Sequence, residues 1–295
     1  MANHKQLTSS SKSWVILIFL AVVWGSSFIL IKKSLIAFAP EQVACFRITI
    51  SALAFLPIFL IRFKEIKPQE WKYLIIVGLT GSGIPAFLYA TAQTEVNSSV
   101  AGILNSLTPL WTLVLGIFLF KQKAILARII GVMIGLMGAG LLILFGEQAT
   151  VGGNPWYGLF IVLATLCYGT SANTVKTYLQ TTHPLTLSAG SFLIIGPPAL
   201  IYLGFTDVLT VFETHPDVWL SFGSVTILAL VGTVMASILF FHLVQLTNAV
   251  FGSSVSYLIP IVALVFAAAD GEVLTYLHFL GMLLILLGVY LSRNR

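Results

Sequence analysis

Charge is scarce in this chain: Asp, Glu, Lys and Arg make up 8% of its 295 residues, while 58% are hydrophobic. Soluble domains carry about 25% charged and roughly 45–50% apolar residues, so the composition excludes an ordinary water-soluble globule. Cysteine is scarce too. Cys45 and Cys167 both fall in apolar stretches, with no second Cys or His at metal-ligand spacing. That argues against a disulfide framework and a zinc site, and both read as small apolar side chains. The five histidines (His4, His183, His215, His242 and His278) form no H-E-x-x-H or i, i+4 pair, and no Walker-type glycine loop is present. A membrane-embedded enzyme would need a metal cluster, or a nucleophile with its base, and the sequence supplies neither. No cofactor is expected.

What the chain has is apolar length. A helix needs about 20 apolar residues to cross the hydrocarbon core of a bilayer. Runs of that kind, bounded by charge, Pro, Gly or Asn, lie at about 14–32, 41–61, 71–92, 97–120, 125–145, 155–177, 185–205, 217–242, 248–269 and 274–292. Each should be helical, because lipid offers backbone groups no outside partner. The predicted fold class is therefore an all-α integral membrane protein with ten transmembrane helices.

The net charge of +5 could suggest a nucleic-acid partner, but the cations sit in loops and not on one face. With a cytoplasmic N-terminus, twelve of the fifteen Lys and Arg residues fall on the inside: Lys5, Lys12, Arg62, Lys64, Lys67, Lys72, Lys121, Lys123, Arg128, Lys176, Arg293 and Arg295. Lys32 and Lys33 alone lie outside. By the positive-inside rule this places both termini in the cytoplasm. Acidic residues, including Glu95, Glu147, Asp207, Asp270 and Glu272, gather in the outer connections. A signal-peptide reading of the first run, with cleavage near Ala37-Phe38-Ala39, fails because the run is too long and Lys32 and Lys33 intervene.

The chain also repeats itself. AVVWGSSFILIKKSL from Ala21 matches TLCYGTSANTVKTYL from Thr165 at an offset of 144, pairing Gly25 with Gly169 and Lys32 with Lys176. At an offset of 151, TEVNSSVAGILNSLTPL from Thr94 matches QLTNAVFGSSVSYLIPI from Gln245, pairing Asn97 with Asn248 and Pro109 with Pro260, while Gly81 pairs with Gly232. Two units follow, 1–147 and 148–295, each of five spans. An odd number inverts the second unit in the membrane, and inverted repeats supply the two near-equivalent arrangements that alternating access requires.

W-G-S-S in the first span, N-S-S-V-A-G-I-L-N-S-L-T-P-L in the fourth and their echoes in the second half resemble the drug/metabolite transporter superfamily, and most nearly its EamA-type members with two five-helix repeats. The likeness covers nearly the whole chain. It implies secondary transport of small metabolites, often amino acids and frequently by export, across a bacterial plasma membrane. It also implies an acidic residue after the fourth and ninth spans. Glu272 fits this, whereas the first half has Lys121-Gln122-Lys123.

Proline-interrupted spans at matching places in the two halves are the best pointer to a transport site, and Pro109 and Pro260 answer that description as bends or gates. Asn105, whose amide is costly to bury in lipid, and Ser256 share their stripe of small and polar residues. Trp24 and Tyr168 occupy equivalent places, and Tyr89 and Tyr257 lie in the third and ninth spans. These aromatics suit an amphipathic or zwitterionic solute, or serve as core and interfacial anchors. Arg47 lies inside the second span, either to bind a carboxylate or to snorkel outward. His242, near the end of the eighth, is a candidate for proton coupling or a headgroup contact. Gly131, Gly135 and Ala139 form a small-residue ridge suited to helix pairing or to a homodimer. The expected partners are a small-molecule substrate, the lipid bilayer, and a coupling proton or counter-substrate. An organic-phosphate or nucleotide-sugar carrier is the alternative, and it would need more cavity cations than Arg47 offers.

Overall fold

The computed structural model describes residues 2–120, 126–145, 154–247 and 249–293. Lys121, Gln122, Lys123, Glu147, Asn248, Arg295 and the expected boundary at 147/148 lie outside the described residues, as do the side chains of His4, Lys5, Arg128 and Arg293.

Ten apolar helices run in chain order: α1 Ala2–Ser34, α2 Pro40–Arg62, α3 Pro68–Ala92, α4 Ser98–Leu119, α5 Leu126–Phe145, α6 Gly158–Tyr178, α7 Pro184–Gly204, α8 Val218–Leu246, α9 Phe251–Ala269 and α10 Tyr276–Arg293. Eight contain stretches long and apolar enough to cross a membrane, and α5 and α10 add shorter apolar segments. No strand occurs among the described residues. A short extra helix, Val208–Thr214, follows α7 and packs Phe212 against Phe38 and Phe46 at the end of the bundle near Lys32.

Polarity is inverted relative to a soluble fold. Val15, Ile61, Phe118 and Leu283 are exposed, while Ser51, Ser98, Ser106 and Ser253 are buried. Lipid solvates the apolar surface, and many hydroxyls turn inward to backbone carbonyls.

The packing carries the sequence repeat into space. Helix α1 lies against α8 and α9, and its equivalent α6 lies against α3 and α4; the two remaining like pairs, α2 with α7 and α5 with α10, pack on each other. Such cross-packing of five and five is an inverted-repeat arrangement. Gly25 makes the first contact possible, since a Cβ there would meet Val262 Cβ at 2.5 Å. Gly169 does the same for the second, where an added Cβ would lie 2.8 Å from the backbone N of Thr112. The ridge on α5 is used inside the chain: Gly138 abuts Leu284 and Gly281, and Gly288 abuts Gly131 and Gly135.

Candidate functional site

A cavity lies in the middle of this arrangement, offering about 100 Å³ to water-sized centres, where one water needs roughly 10–15 Å³. Its wall is built from places where helices from both halves depart from regular α geometry. In α4 a tight 3-10 turn, Asn105–Leu107, precedes Pro109, and in α9 a 3-10 turn, Ser254–Tyr257, precedes Pro260. Proline has no N–H for the carbonyl four residues earlier, so the carbonyls of Asn105 and Ser256 lose their α-helical donor, and Asn105 O takes the N–H of Thr108 in a tighter turn. Both find partners. Thr108 Oγ1 donates to Asn105 O at 2.8 Å, and Ser106 Oγ donates to Ser256 O at 2.9 Å, tying one kink to the other.

The second pair of irregularities was not foreseen. Helices α3 and α8 each contain a π-turn, at Leu79–Gly83 and Leu230–Met235, 151 residues apart like the prolines. In α8 the N–H of Ala236 bonds to Val231 and Thr233 and passes over the carbonyl of Gly232. Trp24 Nε1 donates to that carbonyl at 3.0 Å. In α3 the equivalent carbonyl, on Gly81, faces Pro85 at the fourth position, again a residue without N–H. Gly81, Ser82, Gly232 and Thr233 all line the cavity. The matching glycines were the only trace of this in the sequence.

Of the residues singled out from sequence, Trp24, Arg47, Tyr89, Asn105, Tyr168 and Ser256 line the cavity together. Tyr89 O–H donates to Asn105 Oδ1 at 2.6 Å, and the Asn105 Nδ2 group has no partner among the described residues. Tyr89 stacks on Tyr168 with centroids 6.0 Å apart and touches Phe28 at 5.8 Å, and Trp24 meets Phe240 edge-on at 5.3 Å. Ser171 Oγ, also in the wall, is buried without a hydrogen-bond partner among the described residues.

Arg47 does not snorkel. Its Nε donates to Thr233 Oγ1 at 2.8 Å, and the Thr233 hydroxyl in turn donates to Leu228 O. The Tyr168 hydroxyl stands beside the same guanidinium.

The other candidates sit elsewhere. Pro109 and Pro260 are buried behind the wall and shape it without lining it. Tyr257 is not part of the wall, because it closes the 3-10 turn and points instead to the central apolar cluster. His242 is exposed, on the side of α8 turned away from the cavity.

At the Lys32 end a cluster of charges ties the halves together. Lys32 Nζ meets Asp270 at 2.8 Å and Glu272 at 3.2 Å, and Lys33 meets Asp270 at 3.1 Å. The Glu272 carboxylate also accepts the N–H groups of Ser98 and Ser99, both at 3.1 Å, at the start of α4, where the helix dipole favours a negative charge. Hydrogen bonding from Lys32, helped by Lys33, outweighs burial and holds the Asp270 carboxyl below its usual pKa. At the opposite end the repeat-equivalent Lys176 donates to the backbone carbonyl of Thr247 at 2.7 Å.

A helical bundle of two inverted halves around a central cavity, with unsatisfied donors and one cation in its wall, defines a multi-pass membrane transporter of small molecules. The chain belongs to the EamA-like transporter family, whose profile matches it twice, at residues 12–144 and 155–294. It is 23% identical to an "uncharacterized transporter" of Archaeoglobus fulgidus over 95% of this chain and 98% of that one. It is 22% identical to the inner membrane transporter YedA of Escherichia coli K12, covering 92% of this chain and 87% of YedA. A "probable amino-acid metabolite efflux pump" of Salmonella typhimurium is 25% identical over 96% of this chain and 95% of the pump. A crystal structure shares the fold with a TM-score of 0.63 at 19% identity, covering 96% of each chain.

Proposed function

We propose that the protein is a secondary active transporter that carries amino acids or similar small zwitterionic or carboxylate metabolites across the bacterial plasma membrane by alternating access, with export as the working direction. The observation that carries this reading is the repeat-related construction of the cavity. Each half contributes one proline-released turn, at Asn105 and Ser256, and one glycine-centred π-turn, at Gly81 and Gly232. Broken helices that meet at a central site are how membrane proteins expose backbone polarity to a solute, and such breaks are places where a helix can change its bend. The units 1–147 and 148–295 would then rock about this site, with both termini cytoplasmic, as the lopsided distribution of Lys and Arg supports.

The solute itself would be moved unchanged. The relative named as an amino-acid metabolite efflux pump supports the substrate class, and the aromatic walls with a free amide donor suit it. An organic-phosphate carrier is less well supported, since Arg47 is the only Lys or Arg in the cavity wall among the described residues. Coupling to a proton or a counter-substrate is expected, with His242 better placed to meet headgroups than to relay protons into the site.

The test is efflux from cells, or flux in proteoliposomes, for Asn105→Ala and Trp24→Ala proteins that reach the membrane at normal levels. Both should lose transport. Flux equal to that of the unaltered protein would remove the cavity from the pathway.

A further inference from the structure

Among the described residues the guanidinium of Arg47 has no counter-charge. All nine described carboxylates (Glu41, Glu65, Glu70, Glu95, Asp207, Glu213, Asp217, Asp270 and Glu272) lie at helix ends or in connections, and none lines the cavity. The groups that meet the guanidinium, Thr233 and Tyr168, are neutral. Nor does the repeat provide a second cation: at the 144-residue offset Arg47 corresponds to Ser191, whose hydroxyl is buried without a partner among the described residues.

A permanently charged group within a membrane-spanning helix is costly unless paired, and in membrane proteins such groups face cavities and mark the path of a solute. Thr233 fixes Nε and so orients the planar fork, and an oriented fork matches a carboxylate with two parallel hydrogen bonds. The missing anion therefore arrives with the ligand. By the same reasoning the cavity has no carboxylate among the described residues to pair with an ammonium group. The rest of its wall combines aromatic rings, such as Trp24, Phe28 and Phe240, with neutral hydroxyl and amide groups that carry no charge of either sign.

We propose that the cavity recognises one carboxylate through Arg47 and does not require an α-ammonium, so that its ligand class is the monocarboxylate with an apolar body, in which amino acids are a subset. This rests on the cavity being the transport site, and it narrows that reading from a zwitterion to a single negative charge.

The test uses the purified full chain and two pairs of probes of matched shape: phenylpropionate with phenylpropanamide, and phenylalanine with phenylalaninamide. Binding is followed by calorimetry and flux in proteoliposomes. Both acids should bind, and each amide should bind more weakly by roughly ten- to a hundredfold. Arg47→Gln should bring the acid-to-amide ratio to about one, whereas Arg47→Lys, which keeps the charge and loses the fork, should retain a reduced preference. Amides that bind as well as acids would overturn the proposal. So would binding of phenylalanine without phenylpropionate, or an acid preference that survives in Arg47→Gln. Flux that Asn105→Ala abolishes but that treats acid and amide alike sinks the proposal and leaves the transporter reading standing. Acid-selective, Arg47-dependent binding without flux does the reverse.

Discussion

Asn105 and Ser256 stand four residues before a proline in their respective helices, so the carbonyl of each lacks its α-helical donor and takes another. The Ser106 hydroxyl closes one of these debts across the interface between the halves. Ser106→Ala should therefore lower thermal stability in detergent by about 0.5–1.5 kcal/mol, a modest value because membrane hydrogen bonds are individually weak. A melting curve unchanged from the native protein would show that Ser256 O is satisfied some other way. At this scale the sequence was informative where chemistry alone constrains a residue. An amide or a guanidinium in an apolar span has few places to go, and Asn105 and Arg47 are both in the wall. It was uninformative where rotation about the helix axis decides the matter. His242 and Tyr257 looked as eligible as their neighbours, yet one faces outward and the other, at the end of a tightened turn, packs on the apolar cluster. The partner of Arg47, Thr233, is 186 residues away, a pairing that no local pattern announces.

Among the elements, the helices lie within a few residues of the apolar runs, apart from α1, which begins twelve residues before its run, because length and hydropathy are set by bilayer thickness and not by tertiary detail. The paired prolines likewise announced the breaks in α4 and α9. The π-turns in α3 and α8 did not announce themselves, since an extra residue in a helical turn changes the bonding ladder without changing composition. Prolines and π-turns differ in what they permit. A proline break persists whatever its surroundings, while a π-turn can revert to α geometry and shift its register. Pro109→Ala and Pro260→Ala should return an N–H to Asn105 O and Ser256 O, leave melting temperature equal or higher, and slow flux. Faster transport in either variant would separate the kinks from the moving parts. The prolines would then be structural only.

In the whole molecule the two inverted halves are not true copies at their ends. Lys32, Lys33, Asp270 and Glu272 form an ionic cluster at one end, while Lys176 at the other rests on a backbone carbonyl. Because the Asp270 pKa is lowered on folding, its contribution to stability is present above the ordinary carboxylate pKa and is lost as pH falls through the lowered value. Melting temperature should decline in acid below about pH 4, and Asp270→Asn should be less stable at neutral pH and show a shallower decline. An identical acid profile in the variant would remove Asp270 from that dependence.

The same cluster joins the end of α1, the start of α4 and the connection after α9, so separating the halves at that end means breaking ion pairs, whereas among the described residues the other end is tied by hydrogen bonds from Thr182 to Glu70 and from Thr186 to Glu65. In the proposed cycle this makes the rocking motion a biased coin. The protein would rest closed on the Lys32 side, and ionic strength there, by screening the ion pairs, would change how often the coin lands the other way.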